Sequence, residues 1–224
     1  MKDANCCLSK VRIIVIALVI LFSGHTDVVA GGKVRLHLIH MVPAGNDAED
    51  YSRPGWGIGG WLVLPLSPPL HVVAGVVGFE WINLLNETTT FQDRVTGLRV
   101  EQQTSQDYFR IVLGGQIGGH GEGFLRPYGG LNFAIINYGI FTDVVIPDDV
   151  NRENEIRQSL SSEVRWAVGY DITAGLDLNV SEDFTLDGGV RFLKTFSLVQ
   201  QLGDGSETIY PGYVQIYLGV GIPF

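Results

Sequence analysis

The chain has 224 residues, 24 acidic against 15 basic, for a formal charge of −9, a balance that argues against nucleic acid as a partner. Hydrophobic residues make up 46% of it and 29 are glycine, yet beyond the N-terminus no apolar run approaches the roughly 20 residues of a membrane-spanning helix. Its only two cysteines, Cys6 and Cys7, stand near the N-terminus, which excludes a disulfide framework, a thiol nucleophile or a Cys-ligated metal downstream.

Residues 1–30 read as a basic stretch with Lys2, Lys10 and Arg12, an apolar run from Ile13 to Phe22, and a polar segment closing with Val28-Val29-Ala30. That is the order of a secretory signal, too short in its apolar part to anchor, and cleavage is expected after Ala30. Cys6 and Cys7 precede the apolar run, whereas a lipid-modified cysteine would follow it. The remaining chain would carry 12 basic and 22 acidic residues, a formal charge of −10.

From there the dominant signal is period-2 alternation, because successive side chains of a strand point to opposite faces. Val34, Leu36, Leu38 and Val42 alternate with Arg35 and His37, and Trp56, Ile58, Leu62, Leu64 and Leu66 form a second stripe. Val73, Val77, Phe79 and Trp81 oppose Ala74, Gly78 and Glu80, and then Phe109, Ile111, Leu113 and Ile117 oppose Arg110, Gly114 and Gln116. Between Leu125 and Phe141 the apolar parity changes at Ile135-Ile136, which predicts a β-bulge or register break there. The clearest case is Val164 to Val180, where Trp166, Val168, Tyr170, Ile172, Leu176 and Leu178 face away from Arg165, Gly169, Asp171, Thr173, Gly175 and Asp177. From Phe184, a stripe of Leu186, Val190, Phe192, Phe196 and Leu198 opposes Thr185, Asp187, Gly189, Arg191, Thr195 and Ser197, with Lys194 the exception on the apolar face. The last segment sets Val214, Ile216, Leu218, Val220, Ile222 and Phe224 against Tyr213, Gln215, Tyr217, Gly219 and Gly221.

These segments predict eight strands, over 33–42, 55–66, 70–83, 107–118, 124–141, 163–180, 184–199 and 211–224. Their connections alternate between tight turns at 67–69, 118–123 and 181–183 and long polar loops at 43–54, 84–106, 142–162 and 200–210. Even strand number, with short turns at one end and long loops at the other, predicts an all-β, closed, antiparallel up-and-down transmembrane barrel of the bacterial outer membrane. Segment 94–103 either extends its neighbouring strand or adds a hairpin and makes ten strands.

Alternation alone also fits a soluble lipocalin-like barrel with its apolar face turned inward around a ligand. The polar face, however, carries Gly114, Gly118, Gly169, Gly175, Gly189, Gly219 and Gly221, which suit a crowded lumen rather than a hydrated exterior. The apolar face carries Trp56, Trp81, Trp166, Tyr170, Phe184, Phe192 and Phe224, several near strand ends, as aromatic girdles at lipid interfaces would be. With the apolar face outward, the lumen holds Arg35, Arg110 and Arg191 with Glu80, Asp171, Asp177 and Asp187. Desolvated ions need partners, so a paired polar plug is expected in preference to a gated ion path.

Arg126-Pro127-Tyr128-Gly129-Gly130-Leu131, Gly169-Tyr170-Asp171-Ile172-Thr173-Ala174-Gly175-Leu176-Asp177, Gly188-Gly189-Val190-Arg191-Phe192 and the closing strand ending in Phe224 resemble the small OmpA-type and OmpX-type outer-membrane barrels. The resemblance covers most of residues 31–224. It implies that Ile216, Leu218, Val220, Ile222 and Phe224 form the signal read by the barrel-assembly machinery, with Pro223 a mild departure. It also implies contact with outer-membrane lipid and lipopolysaccharide. The larger members carry a peptidoglycan-binding domain after the barrel, which is not expected here.

Some small barrels are acyltransferases, deacylases or proteases, and such activity would need an activated nucleophile or paired acids near the outer rim. None of His37, His40, His71 and His120 is followed by Ser two residues on, and no dyad is legible, so no enzyme, cofactor or metal site is expected. Acidic stretches at 47–50, 148–155 and 204–207 could hold divalent cations but read better as solvated loops. The leading expectation is a structural or adhesive surface protein acting through its loops, and the alternative is a narrow ion or small-solute channel through the charged lumen.

Overall fold

The computed structural model describes residues 31–49, 52–66, 72–92, 99–119, 123–146, 156–202 and 205–224. The expected signal segment and its cleavage after Ala30 lie outside the described residues, as do His71 and His120. In chain order the elements are β1 (Lys33–Ala44), a one-turn α1 (Asn46–Glu49), β2 (Gly55–Pro65), β3 (Val73–Gln92), β4 (Arg99–Gly118) and β5 (Leu125–Ile146). They continue with β6 (Ile156–Ser181), β7 (Phe184–Thr195), β8 (Leu198–Leu202), β9 (Gly205–Ile209) and β10 (Gly212–Pro223).

Eight of the strands close a ring in the order β1-β10-β7-β6-β5-β4-β3-β2, every neighbour antiparallel. The first and last strands complete it, with Val34 opposite Ile222, Leu38 opposite Leu218 and Val42 opposite Val214. Closure leaves the ring without edges, so each strand's backbone groups are paired on both sides over the barrel's height. Of the two strand numbers left open by the sequence, eight is the barrel's. The additional pair, β8 and β9, is a separate hairpin.

The apolar face lies outside. Val34, Leu36, Leu38, Trp56, Ile58, Phe79, Trp81, Ile111, Leu113, Phe133, Ile172, Val190 and Ile216 are all exposed, with Trp166 at 64% and Leu218 at 68%. A continuous exposed band of this kind needs lipid as its solvent, and the lipocalin-like arrangement is thereby excluded. Register places Trp81, Phe109 and Trp166 in one row across β3 to β6, through Asn137 of β5. Aromatic rings in a row around a barrel suit the polar–apolar boundary of a bilayer.

The strands differ greatly in length. The 12 residues of β1 climb roughly 30 Å at about 3.3 Å per residue and a tilt near 40°, close to the roughly 25 Å of an outer-membrane apolar band. The 26 residues of β6 climb roughly 65 Å on the same reckoning. With the 20 residues of β3, the 20 of β4 and the 22 of β5, it forms a four-stranded blade standing beyond the rim. The segments 84–106 and 142–162, expected as loops, are therefore mostly strand. Both faces of the blade are hydrated, which removes the alternation that marked the barrel strands.

Pairing runs unbroken through Ile135 and Ile136 on both sides of β5, with Ile135 outward and Ile136 inward. The expected break there does not occur. The register shifts fall instead at Asn83/Leu85, Thr142/Asp143 and Asn179/Ser181. The strand expected over 184–199 ends at Thr195, and Leu198, expected on the outer face, is buried in the hairpin. The expected loop 200–210 contains β9. At Ile136 and Leu198 the upper lumen is apolar, so an inward residue there looks like an outward one.

Seen from the end bearing Lys33 and Pro223, the base, the lumen is filled in two tiers. Polar and charged side chains occupy the lower tier. Ile39, Met41, Ile82, Leu84, Tyr108, Ile136, Tyr138, Leu193 and Tyr213 fill the upper one, all buried, and Leu198 and Ile209 of the hairpin close it at the mouth. Small residues make room for this packing: a Cβ at Gly175 would stand 2.5 Å from the Tyr128 ring, and one at Gly219 would stand 2.4 Å from the His37 ring.

Candidate functional site

All seven charged residues expected in the lumen are buried there, and they fall into two groups. Near the base, Asp177 accepts from Lys33 Nζ at 2.5 Å and from Arg35 Nη2 at 3.0 Å, while Arg35 Nη1 donates to Gln116 at 3.0 Å. Asp187 meets His37 Nε2 at 2.6 Å and accepts from the Tyr128 hydroxyl at 2.7 Å, with Arg35 Nε 3.9 Å away. The Tyr128 and Tyr217 hydroxyls are 2.7 Å apart, and the Arg35 guanidinium lies 4.7 Å from the centre of the Tyr128 ring.

Higher up, Arg110 forks between two carboxylates, Nε to Glu80 at 2.6 Å and Nη1 to Asp171 at 2.7 Å. Arg191 donates to the other oxygen of Glu80 and to Thr173 Oγ1 at 3.2 Å. Its guanidinium is sandwiched between Trp61, 4.0 Å from the ring centre, and Tyr217 at 4.3 Å. Gln215 bridges the group, donating to Glu80 at 3.1 Å and accepting from Arg191 at 3.0 Å. Asn132 Nδ2 and Thr173 Oγ1 both donate to Asp171.

Four cations (Lys33, Arg35, Arg110 and Arg191) face four carboxylates (Glu80, Asp171, Asp177 and Asp187), none more than 4% exposed. Burial of ions is costly, and a balanced set with this many hydrogen bonds offsets the desolvation. Lys33, His37, Trp61, Gln116, Tyr128, Asn132, Thr173, Gln215 and Tyr217 were not singled out from the sequence. Their inward parity, odd positions in β1, β2, β6 and β10 and even positions in β4 and β5, was the available signal.

This core leaves almost no passage. Beside Arg35, His37, Trp61, Asn132 and Arg191 lies a void of about 10 Å³, about enough for one water. Arg35 Nε and Asn132 Oδ1, both unpaired and buried, are a donor and an acceptor suited to one.

His37 and Asp187 form a histidine–carboxylate pair, but the imidazole is walled by the Trp61 ring at 6.0 Å and the Tyr217 ring at 4.9 Å. His40 sits in the wall, its Nδ1 3.1 Å from the Gly55 carbonyl and its ring 4.4 Å from Trp56. Among the described residues no group of three or more His, Cys, Asp or Glu is placed to hold a metal ion.

At the mouth the hairpin β8–β9 is pinned at its exit. The Tyr210 N–H donates to Asp47 Oδ2 of α1 at 2.8 Å, and its carbonyl accepts from Lys194 Nζ at 2.6 Å. Ala48 of α1 is buried in the same apolar cluster as Leu198 and Ile209. Between the hairpin and the foot of the blade lies a pocket of about 70 Å³, lined among others by Gln106, Ile140, Glu163 and Ile209.

No family model matches the chain, and no curated protein matches it. Solved structures do. Neisserial surface protein A aligns over 86% of this chain and 97% of its own, with a TM-score of 0.53 at 11% identity. The attachment invasion locus protein Ail of Yersinia pestis aligns over 87% and 97% with a TM-score of 0.43 at 14% identity. The N-terminal β-barrel domain of Pseudomonas aeruginosa OprF aligns over 86% and 97% with a TM-score of 0.38 at 15% identity. The fold is that of the small eight-stranded outer-membrane β-barrels.

Proposed function

We propose that this barrel is a surface-interaction protein of the bacterial outer membrane, in which a plugged ring serves as the rigid base for a mouth and blade that engage a cationic partner. One observation carries the reading: the lumen is filled by a charge-balanced core while four strands run on far past the rim. A channel needs the open lumen that this core fills.

Charge supports the sign of the partner. Segments 43–54, 84–106, 142–162 and 200–210, all at the mouth end of the strands, carry 13 acidic and five basic residues. Most of the chain's net charge is thus gathered on the side that would face the exterior, where it steers a basic surface and repels an acidic one. In this reading residues 1–30 direct export and are removed after Ala30. The barrel-assembly machinery reads Ile216, Leu218, Val220, Ile222 and Phe224, and lipid and lipopolysaccharide surround the outer face.

The test uses the full barrel refolded into vesicles, with poly-lysine and poly-glutamate as immobilised probes. Capture on poly-lysine alone, weakened by salt as the Debye length falls to about 3 Å near 1 M, is expected. Trimming the blade at 87–104 and 144–158 should lower that capture while the heat-dependent gel shift of a folded barrel persists. Steady ionic conductance in planar bilayers, or poly-lysine capture that survives trimming unchanged, would overturn the reading.

A further inference from the structure

Among the described residues five buried side-chain polar atoms have no hydrogen-bond partner. Three of them, Arg35 Nε, His37 Nδ1 and Asn132 Oδ1, belong to residues that line the small void between the two ion groups. None of these residues is more than 4% exposed, so bulk water does not serve them.

The bonds each side chain already makes decide what its remaining atom can do. Asn132 Nδ2 donates to Asp171 at 2.6 Å, which leaves Oδ1 as a bare acceptor. Arg35 donates through Nη1 to Gln116 and through Nη2 to Asp177, and its Nε–H, 3.9 Å from Asp187, is a donor without an acceptor. For His37 the answer depends on charge. Four cations already face four carboxylates in the lumen, so a protonated imidazole would add a fifth, uncompensated positive charge to a buried set. A neutral ring 2.6 Å from the Asp187 carboxylate, which only accepts, carries its hydrogen on Nε2 and leaves Nδ1 an acceptor.

We infer that the void holds one water molecule, which accepts from Arg35 Nε and donates to Asn132 Oδ1 and His37 Nδ1, fixing His37 as the neutral Nε2–H tautomer. One donor and two acceptors are the complement of a water's own groups. An ammonium or a metal cation cannot accept from Arg35, and a halide cannot donate to Asn132 or His37. About 10 Å³ leaves room for nothing larger. The water joins the lower ion group, through Arg35 and His37, to the upper one, through Asn132 and its partner Asp171, and makes one hydrogen-bonded core of the two. The apolar tier of Ile39, Met41, Ile82 and Tyr108 lies between it and the mouth.

The experiment uses the barrel refolded into nanodiscs with His40→Asn, His71→Asn and His120→Asn, so that His37 is the one histidine of residues 31–224. A long-range ¹H–¹⁵N spectrum at neutral pH reads which ring nitrogen carries hydrogen. Dipolar transfer from water to the ring proton on Cε1, the carbon between the two nitrogens, reads the water itself, because that proton does not exchange with solvent during the measurement. Expected are hydrogen on Nε2, none on Nδ1, and a water contact at Cε1 with the sign of a long-held molecule. Hydrogen on Nδ1, or no such contact, overturns the assignment.

Val76 lines the void and is 2% exposed. Val76→Ile adds a methylene there and should abolish the water contact, whereas Val77→Ile, on the opposite face of β3, should retain it. A contact unchanged in a Val76→Ile barrel that still shows its heat-dependent gel shift also overturns the site. Where that variant fails to fold, the tautomer and the contact in the parent barrel decide alone.

Discussion

Trp61 serves both members of a buried ion pair: its indole N–H donates to Glu80 at 3.0 Å, and its ring face lies 4.0 Å from the Arg191 guanidinium. The edge of an indole is positive and its face negative, so one side chain meets an anion and a cation with the appropriate pole. Glu80 is also the acceptor for Arg110 and Gln215. It is the acceptor on which the upper group converges.

Replacing Glu80 by Leu leaves Arg110 and Arg191 sharing Asp171 and strands the indole donor. The expected loss is about 3–5 kcal/mol, as for other buried pairs robbed of one partner. Adding Arg110→Met to that variant should cost less than Arg110→Met alone, a coupling of about 0.5–3 kcal/mol. Tryptophan-monitored denaturant unfolding from lipid vesicles measures both. A single-variant loss below about 1 kcal/mol would show that the group is held by packing rather than by charge.

Gly175 is a packing constraint of a different kind. A Cβ there would meet the Tyr128 ring at 2.5 Å and the Tyr217 hydroxyl at 2.7 Å. Both rings are tied to the Asp187 group and have little freedom to withdraw. Gly175→Ala is expected to cost about 1–3 kcal/mol by overpacking. Gly129→Ala is the control, since its Cβ meets nothing closer than the Thr173 carbonyl oxygen at 3.7 Å, and should stay within about 0.5 kcal/mol. Equal effects at the two sites in the same unfolding assay would refute the crowding argument.

The cap over the mouth depends on Tyr210, bonded through its N–H to Asp47 and through its carbonyl to Lys194. Asp47→Asn or Lys194→Met should each raise amide exchange in residues 205–209 by about two- to fivefold, a modest factor because the pairs are solvent-accessible. Exchange in β1 and β10 should not change. Mass-spectrometric hydrogen exchange on the refolded barrel reads both regions at once. Unchanged exchange in the hairpin would mean that Leu198 and Ile209 hold it without the pins.

The barrel strands were legible because lipid outside and ions inside give neighbouring residues opposite chemistry. Val164 to Val180 show this most clearly, and Arg110 and Arg191 were placed in the lumen on parity alone. Where the contrast fades, legibility fades with it. Ile136 and Leu198 point into an apolar upper lumen, so their type carries no information about face. Thr88-Thr89-Thr90 belong to β3, but water on both sides of the blade leaves only their β-branched character as a cue.

The longest-range ion pairs of the base bear on how the ring comes together. Lys33 and Arg35 of β1 reach Asp177 of β6, and His37 of β1 reaches Asp187 of β7, with sequence separations of 144, 142 and 150 residues. None of these pairs joins hydrogen-bonded neighbours, because β10 stands between β1 and β7. A half-assembled sheet therefore holds Asp177 and Asp187 without their counter-ions, and carrying such charges into lipid is strongly unfavourable. Closing the seam between β1 and β10 is therefore the step that brings these carboxylates to their counter-ions.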